Sequence, residues 1–225
     1  MAVACHLALP LDEGAPDGGP GDAGEDGISS QRRTLLDDKL AGGGAPGWTF
    51  TPDTAHHAVT PNRMEIWTPS DMPPYYGTTQ ATRAFDQLPT GGGTVTALAT
   101  FRWEQTSGTD DGATLSIGVV DLPETTLQVF QAQGQLAARF GTSLAAVEKG
   151  VWYKLRLTVD SSVSVRLYRA SDLLTVLEAE VPTPASLPTL DSVRFAVTTD
   201  HAGPEVRASL TDVFVVEDIP PGAAH

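Results

Sequence analysis

The stretch GVWYKLRLTVD, residues 150–160, alternates apolar and polar side chains without interruption. Successive side chains of a β-strand point to opposite faces, so the alternation predicts a strand with one buried and one outward face. The predicted inward side chains are Tyr153, Leu155, Leu157 and Val159. The predicted outward side chains are Trp152, Lys154, Arg156 and Thr158. The next segment, SSVSVRLYRA (161–170), alternates in the same way and predicts an antiparallel partner strand.

The pattern of short alternating segments separated by turn residues continues through 34–218. Predicted strands lie in TLLDDKL (34–40), NRMEIWT (62–68), TTQATRAF (78–85), GGGTVTALATFRWEQ (91–105), ATLSIGVV (113–120), TTLQVFQAQGQLAARFG (125–141), LDSVRFAVTT (190–199) and EVRASLTDVFVVED (205–218). LLTVLEAEV (173–181) fits a helix or a strand, and its position favours a strand. With about a dozen strands and no crossover helices, the sequence predicts an all-β antiparallel sandwich.

The two ends of the chain differ from this body. Residues 1–33 are rich in Gly, Pro and acidic residues, which predicts a disordered or loosely attached segment. We therefore divide the chain into this segment, one domain over 34–218, and a short tail over 219–225. The opening MAVACHLALP lacks the basic n-region of a signal peptide, and no apolar run is long enough for a transmembrane helix.

Charge restricts the classes of partner. The chain has a formal net charge of -14, from 14 Lys+Arg against 28 Asp+Glu. This acidity argues against nucleic acid and against insertion into an anionic membrane. The single cysteine, Cys5, excludes an intramolecular disulfide.

Four segments of the body resemble the concanavalin A-like lectin/glucanase superfamily, including its laminin-G-like jelly-roll domains. They are LLDDKL…GW (35–48), GGGTVTALATFRW (91–103), KGVWYKLRLTVDSSVSVRLY (149–168) and LDSVRFAV…SLTDVFVVED (190–218). The resemblance covers about four fifths of the chain and implies an antiparallel jelly-roll sandwich. It also favours an extracellular location and a carbohydrate ligand, although the motifs mark core positions more than function.

The catalytic motifs that the resemblance would imply are not found. The retaining glucanases of the superfamily carry Glu-x-Asp-x-x-Glu on one strand, whereas Glu65 is followed two residues later by Trp67. Neither the Arg-x-Glu-x-Arg nor the Gln-x-His strand of the alginate-lyase branch occurs. The adjacent His56 and His57 point to opposite faces of an extended chain, which argues against their binding one metal ion.

The resemblance also implies a structural calcium ion at the edge of the sandwich. Asp37 and Asp38 with Asp212 resemble the pairing of first and last strands that holds it, and Ca²⁺ prefers such oxygen ligands. The alternative is that the first two aspartates form hydrogen bonds within a turn.

The predicted recognition patch combines rings with polar side chains, because glycans are bound by stacking on aromatic faces framed by hydrogen-bonding groups. Its residues are Trp67, Asp71, Tyr75, Tyr76, Arg83 and Arg102, on a concave sheet and the adjoining loop. Trp48 and Trp103 fit core positions instead. Trp152 is interpreted as a packing residue at the rim of the sheet, with a role as ligand platform as the alternative.

These observations favour a non-catalytic glycan-binding module. Two alternatives stay open. One is a polysaccharide lyase or glycoside hydrolase with an unrecognised site, and the other is a structural or protein-interaction sandwich.

Overall fold

The computed structural model describes residues 31–40, 46–51, 56–68, 77–105, 113–119, 125–132, 135–183, 189–199 and 206–220. These ranges contain fifteen β-strands. They are β1 (Gln31–Asp38), β2 (Trp48–Thr51), β3 (His57–Thr60), β4 (Arg63–Trp67), β5 (Gly77–Ala84), β6 (Thr94–Gln105), β7 (Ala113–Gly118), β8 (Leu127–Ala132), β9 (Gln135–Phe140), β10 (Ser143–Ala146), β11 (Trp152–Val159), β12 (Ser162–Arg169), β13 (Thr175–Pro182), β14 (Ser192–Thr199) and β15 (Val206–Ile219).

The strands form two antiparallel sheets. The eight-stranded sheet has the order β13-β12-β11-β6-β15-β4-β3, with β1 also paired to β15. The seven-stranded sheet has the order β10-β9-β8-β7-β14-β5-β2. The first and last strands of the chain therefore lie side by side in the eight-stranded sheet. This arrangement is the predicted all-β antiparallel jelly-roll sandwich.

The core lies between the two sheets and is built from the predicted inward positions. On β11, Tyr153, Leu155, Leu157 and Val159 are all buried, and their neighbours on β6 and β12 are buried with them. Trp103 and Trp48 are also buried, as predicted. Period-2 alternation therefore identified the core-facing side of these strands correctly. On β15 a register shift between Leu210 and Asp212 places Val213 and Val215 in the core in place of Phe214, which the alternation had predicted to face inward.

Some strand limits differ from the prediction. β1 begins at Gln31 rather than at Thr34, and β15 continues through Ile219. Within the predicted strand NRMEIWT (62–68), the structure forms β4 over Arg63–Trp67. This strand pairs with the preceding β3 across a turn in which Asn62 has a φ of 64°. The short strands β2, β3 and β10 were not predicted, because four residues are too few to show a period. The ambiguous segment 173–181 contains β13, as favoured.

The edges of the two sheets meet at one end of the strand order. β2 is the last strand of the seven-stranded sheet, and β3 is the last strand of the eight-stranded sheet. The rings of Phe50 and His57 stack at 3.7 Å with an interplanar angle of 5°. This contact joins the sheets beside β4, which carries the first residues of the candidate site.

Candidate ligand-binding face

Outward-facing side chains of four neighbouring strands converge on the eight-stranded sheet. The strand register places Trp67 opposite Arg207, and Arg207 opposite Glu104. The adjacent row runs from Glu65 through Ser209 and Arg102 to Trp152. With Arg63, the residue of β4 that precedes Glu65 on the same face, these side chains form what we call the Trp–Arg cluster.

Two tryptophans border this cluster, and each is paired with an arginine. The guanidinium carbon of Arg102 lies 4.8 Å from the ring centroid of Trp152. That of Arg207 lies 4.9 Å from the ring centroid of Trp67. Both rings are half-buried, so they present aromatic surface next to fixed positive charge.

Glu104 connects the arginines at the centre of the cluster. Its Oε1 accepts a hydrogen bond from Nη2 of Arg63 at 2.7 Å and from Nε of Arg102 at 2.6 Å. The hydroxyl of Ser209, which is fully buried, donates to the same oxygen at 3.0 Å. Among the described residues no group donates a hydrogen bond to the other carboxylate oxygen, Oε2.

This environment keeps Glu104 ionised. Burial alone would raise the pKa of its carboxyl group, but the hydrogen bonds from Arg102 and Ser209 and the charges of Arg102 and Arg63 outweigh that effect and lower the pKa below its usual value. Glu65 forms ion pairs with Arg63 and, at 3.4 Å, with Arg207. The cluster therefore combines two carboxylates with three guanidinium groups.

Backbone contacts fix Trp67 at the end of β4. Its N–H donates to the carbonyl of His56 at 3.0 Å, and its carbonyl accepts a hydrogen bond from the Thr79 hydroxyl at 2.8 Å. Trp67 thus stands where the chain leaves the eight-stranded sheet for β5. The predicted recognition residues Asp71, Tyr75 and Tyr76 follow it and lie outside the described residues.

Arg83 and Arg102, which were predicted to lie on neighbouring strands, belong to different sheets. β5 pairs with β14 and β2, whereas β6 pairs with β11 and β15. Arg83 donates to Asp86 at 2.8 Å and to the carbonyl of Ala84 at 2.7 Å. Because its donors are engaged within the protein and its side chain is only 17% exposed, Arg83 does not join the cluster.

The aspartates that the resemblance suggested for calcium do not converge. Asp38 uses both carboxylate oxygens on protein donors: Oδ1 accepts from the Leu40 N–H and Oδ2 from the Trp48 indole, each at 2.8 Å. Asp37, its neighbour on β1, points to the opposite face. Asp212 accepts a hydrogen bond from Thr211 at 2.6 Å. Within the described ranges no group of three or more His, Cys, Asp or Glu side chains is arranged to hold a metal, so these residues do not fit a shared calcium site.

The outer face of the seven-stranded sheet has a different chemistry. None of its seven strands contains Asp, Glu, His or Lys. Of their three arginines, Arg139 and Arg194 lie on the outer face, whereas Arg83 lies on the inner side of β5, opposite Trp48. Threonine, serine and glutamine occupy most outward positions. One arginine–aromatic contact occurs here as well: the guanidinium carbon of Arg139 lies 5.2 Å from the ring centroid of Phe130.

Of the predicted recognition residues, Trp67 and Arg102 lie in the cluster, and Trp152, interpreted as a packing residue with a ligand platform as the alternative, lies at its border. Arg207, Ser209 and Glu104 were not proposed, and Glu65 was considered only as a catalytic residue. The available signal was the alternation of polar residues on each strand, as in Arg63-x-Glu65-x-Trp67. It could not show that β4, β15, β6 and β11 are neighbours.

No family model matches the chain, and no curated protein matches it by sequence. Solved structures do match it by fold. The CBM2 module of the evolved Dit of Lactobacillus casei BL23 phage J-1 aligns with a TM-score of 0.63 and 8% identity, over 85% of this chain and 98% of that one. Lectin II from Ulex europaeus aligns with a TM-score of 0.56 and 10% identity, over 82% of this chain and 98% of that one. The exoplasmic/lumenal domain of VIP36, in a form bound to Ca²⁺ and Man3GlcNAc, aligns with a TM-score of 0.51 and 10% identity, over 82% and 88%.

These structures share the concanavalin A-like jelly roll, and this chain has that fold. Identities near 10% establish the fold and leave the ligand and its residues to be argued from this chain. In the part of the chain that the structure describes, no helix has the length and apolar character needed to cross a membrane.

Proposed function

We propose that the protein is a non-catalytic glycan-binding module and that the Trp–Arg cluster is its binding site. One observation carries the proposal: two half-buried tryptophans, each paired with an arginine, border two ion-paired carboxylates on one sheet face. Aromatic surface combined with a few fixed polar groups is the usual composition of a small-molecule site.

The cluster offers what a sugar ring needs. The C–H face of a pyranose packs on an aromatic ring, as Trp67 and Trp152 would provide. Sugar hydroxyls donate to carboxylates, and Oε2 of Glu104 is an acceptor held in place by the bonds to Oε1. The ion pairs orient these groups before the ligand arrives, which reduces the entropy that binding must overcome.

The electrostatics support binding rather than hydrolysis. A glycosidase requires one carboxyl group that is protonated near neutral pH and donates to the leaving oxygen. The pKa of Glu104 is lowered, and Glu65 contacts the same guanidinium of Arg63. Glu104 is therefore suited to accept hydrogen bonds and poorly suited to donate a proton.

The fold comparisons agree with this proposal in general terms. Peanut lectin was solved with a 9mer peptide, but lectin UEA-II was solved with galactose and lectin I from Ulex europaeus with the methyl glycoside of α-L-fucose. A glycan partner and an extracellular or lumenal location, as in the VIP36 domain, would suit this chain. The loop residues Asp71, Tyr75 and Tyr76 remain proposed contributors because they directly follow Trp67.

A glycan array, read with Ca²⁺ and with EDTA, tests the proposal. Wild-type protein should bind at least one glycan, Trp67→Ala should lose that binding, and Phe130→Ala should retain it. Phe130 is the matched control because it carries the same type of arginine contact on the other sheet. Glycan binding that is lost in EDTA would indicate a metal site formed by residues other than Asp37, Asp38 and Asp212.

Two results would contradict the proposal. Binding to no glycan would favour the structural or protein-interaction alternative. Release of reducing or unsaturated sugar ends from an array-positive polysaccharide would favour the hydrolase or lyase alternative.

A further inference from the structure

A cleft opens on the same sheet face at the far end of β11, between β11, β12 and β13. Its volume is about 380 Å³, which lies within the range of small-molecule sites. Its polar lining comes from outward positions of the three strands: Arg156, Thr158, Ser164, Arg166, Glu178 and Glu180.

Two of the four charged side chains that line the cleft form no ion pair with another described residue. Arg166 and Glu178 form an ion pair with each other across the β12–β13 ladder. Arg156 on β11 and Glu180 on β13 form no side-chain hydrogen bond or ion pair within the described residues, and both are exposed. The cleft therefore offers a guanidinium donor on one side and a carboxylate acceptor on the other, with the hydroxyls of Thr158 and Ser164 between them.

The strand register joins this cleft to the Trp–Arg cluster. Trp152 and Arg156 share the outward face of β11, four residues apart, which corresponds to about 14 Å. From Trp67 on β4 the polar positions step diagonally through Arg102, Trp152 and Arg156 to Glu180 on β13. We call this row of positions the diagonal track. It crosses five strand spacings and advances eight residues along the strand direction, so it is about 35 Å long.

We infer that the β11–β13 cleft is a second sugar-binding subsite and that the ligand of this face is an extended, uncharged polysaccharide rather than a single sugar. This inference rests on the proposed function of the Trp–Arg cluster. A chain lying along the diagonal track stacks on Trp67 and Trp152 and reaches Arg156 and Glu180 with its distal units.

The charges of the track argue for an uncharged chain. Four of its arginines form ion pairs with carboxylates: Arg63 and Arg102 with Glu104, Arg207 with Glu65, and Arg166 with Glu178. The two groups that form no ion pair within the described residues, Arg156 and Glu180, have opposite charges. An anionic polysaccharide would approach Glu180 and these carboxylates in a protein whose net charge is -14. Neutral hydroxyls can instead donate to Glu180 and accept from Arg156.

Calorimetry with oligosaccharide series tests the inference. The probes are cello-, xylo- and manno-oligosaccharides from disaccharide to octasaccharide, with oligogalacturonates as the anionic series. In the series that binds, affinity should rise about tenfold or more from the shortest to the longest member. Arg156→Ala/Glu180→Gln should lose that rise and leave the affinity for the shortest member unchanged, and Arg139→Ala on the other sheet should behave as wild type.

The outcomes separate the two proposals. Affinity that depends on Trp67 but not on chain length, or that the double variant leaves unchanged for octasaccharides, overturns the cleft subsite alone. Binding of none of the probes, or binding that Trp67→Ala does not affect, counts against the proposed function itself. Tighter, strongly salt-dependent binding of the oligogalacturonates overturns the uncharged ligand.

A measurement on the unmodified protein complements the variants. Backbone amide NMR with the longest binding oligosaccharide should shift resonances of β11, β12 and β13 together with those near Trp67. The shortest member should leave the β13 resonances in place.

Discussion

The two sheets present outer faces of opposite character, although the same pleat and the same core produce both. Every strand of the eight-stranded sheet except β3 carries a charged residue. The strands of the seven-stranded sheet carry three arginines and no acid. In a chain with 28 acidic residues this is a marked segregation.

The difference shows that the fold constrains the residue composition of the inner faces but not that of the outer faces. Both inner faces need apolar side chains, since they bury each other. The outer faces have no such requirement, so their composition reflects solubility or ligand binding. The tryptophans and ion-paired glutamates of one face, and the hydroxyls and amides of the other, are therefore the informative part of the sequence.

Removing both tryptophans should have the largest effect of the variants that distinguish the two faces, and the affected quantity is glycan affinity. Trp67→Ala/Trp152→Ala should weaken glycan binding by about 30-fold, because the two aromatic contacts can each contribute about 1 kcal/mol. Phe130→Ala on the seven-stranded sheet should change the affinity less than about twofold. Equal losses in both proteins, measured by calorimetry, would show that the faces are not functionally distinct.

Glu104→Ala should have the next largest effect, which is a loss of stability. It leaves Arg63, Arg102 and buried Ser209 without their shared acceptor, which should lower the free energy of unfolding by about 1–3 kcal/mol. Gln128→Ala, which removes the acceptor of the exposed Arg139, should cost less than about 0.5 kcal/mol. Urea denaturation of both variants measures the contrast.

The lowered pKa of Glu104 predicts a dependence of stability on pH. A carboxyl group with a depressed folded-state pKa stabilises the protein above its unfolded pKa of about 4.3, and that contribution is lost as the pH falls through the folded value. The stability difference between wild type and Glu104→Gln should therefore shrink between about pH 6 and about pH 3. A difference that stays constant would mean that the ion pairs do not favour the charged form.

The smallest effect is expected at the exposed pair in the cleft. Arg166 and Glu178 have side-chain exposures of 51% and 58%, so solvent and salt screen their attraction. Glu178→Gln should lower the midpoint of thermal unfolding only slightly, and by less at high salt. A larger loss, seen in thermal unfolding at low and high salt, would indicate that this part of the face is held more rigidly than its exposure suggests.

Particular residues show how far sequence reasoning reached. Tyr153, Leu155, Leu157 and Val159 were assigned to the core because alternation is a local property of the strand. Trp67 and Arg102 were assigned to binding by residue type, and they do lie on one sheet face. Arg83 was grouped with them because β5 and β6 are consecutive in the chain, yet the chain crosses between sheets there.

The site as a whole required the three-dimensional arrangement. Glu104, Ser209 and Arg63 come from β6, β15 and β4, which are far apart in sequence and adjacent only in the sheet. Similarly, Asp37 and Asp38 resembled a calcium pair in sequence, but the structure uses Asp38 to hold Leu40 and Trp48.

By itself the sequence determined the all-β class, most strand positions and which side of most strands is buried, because the pleat makes these depend on neighbouring residues. Only the tertiary structure decided which strands share a sheet, and thereby which outward side chains meet. Strand pairing is set by contacts between distant segments, and no local period encodes it. The alternation of GVWYKLRLTVD thus specified its buried face, whereas the partners of Trp152 and Arg156 came from the sheet order.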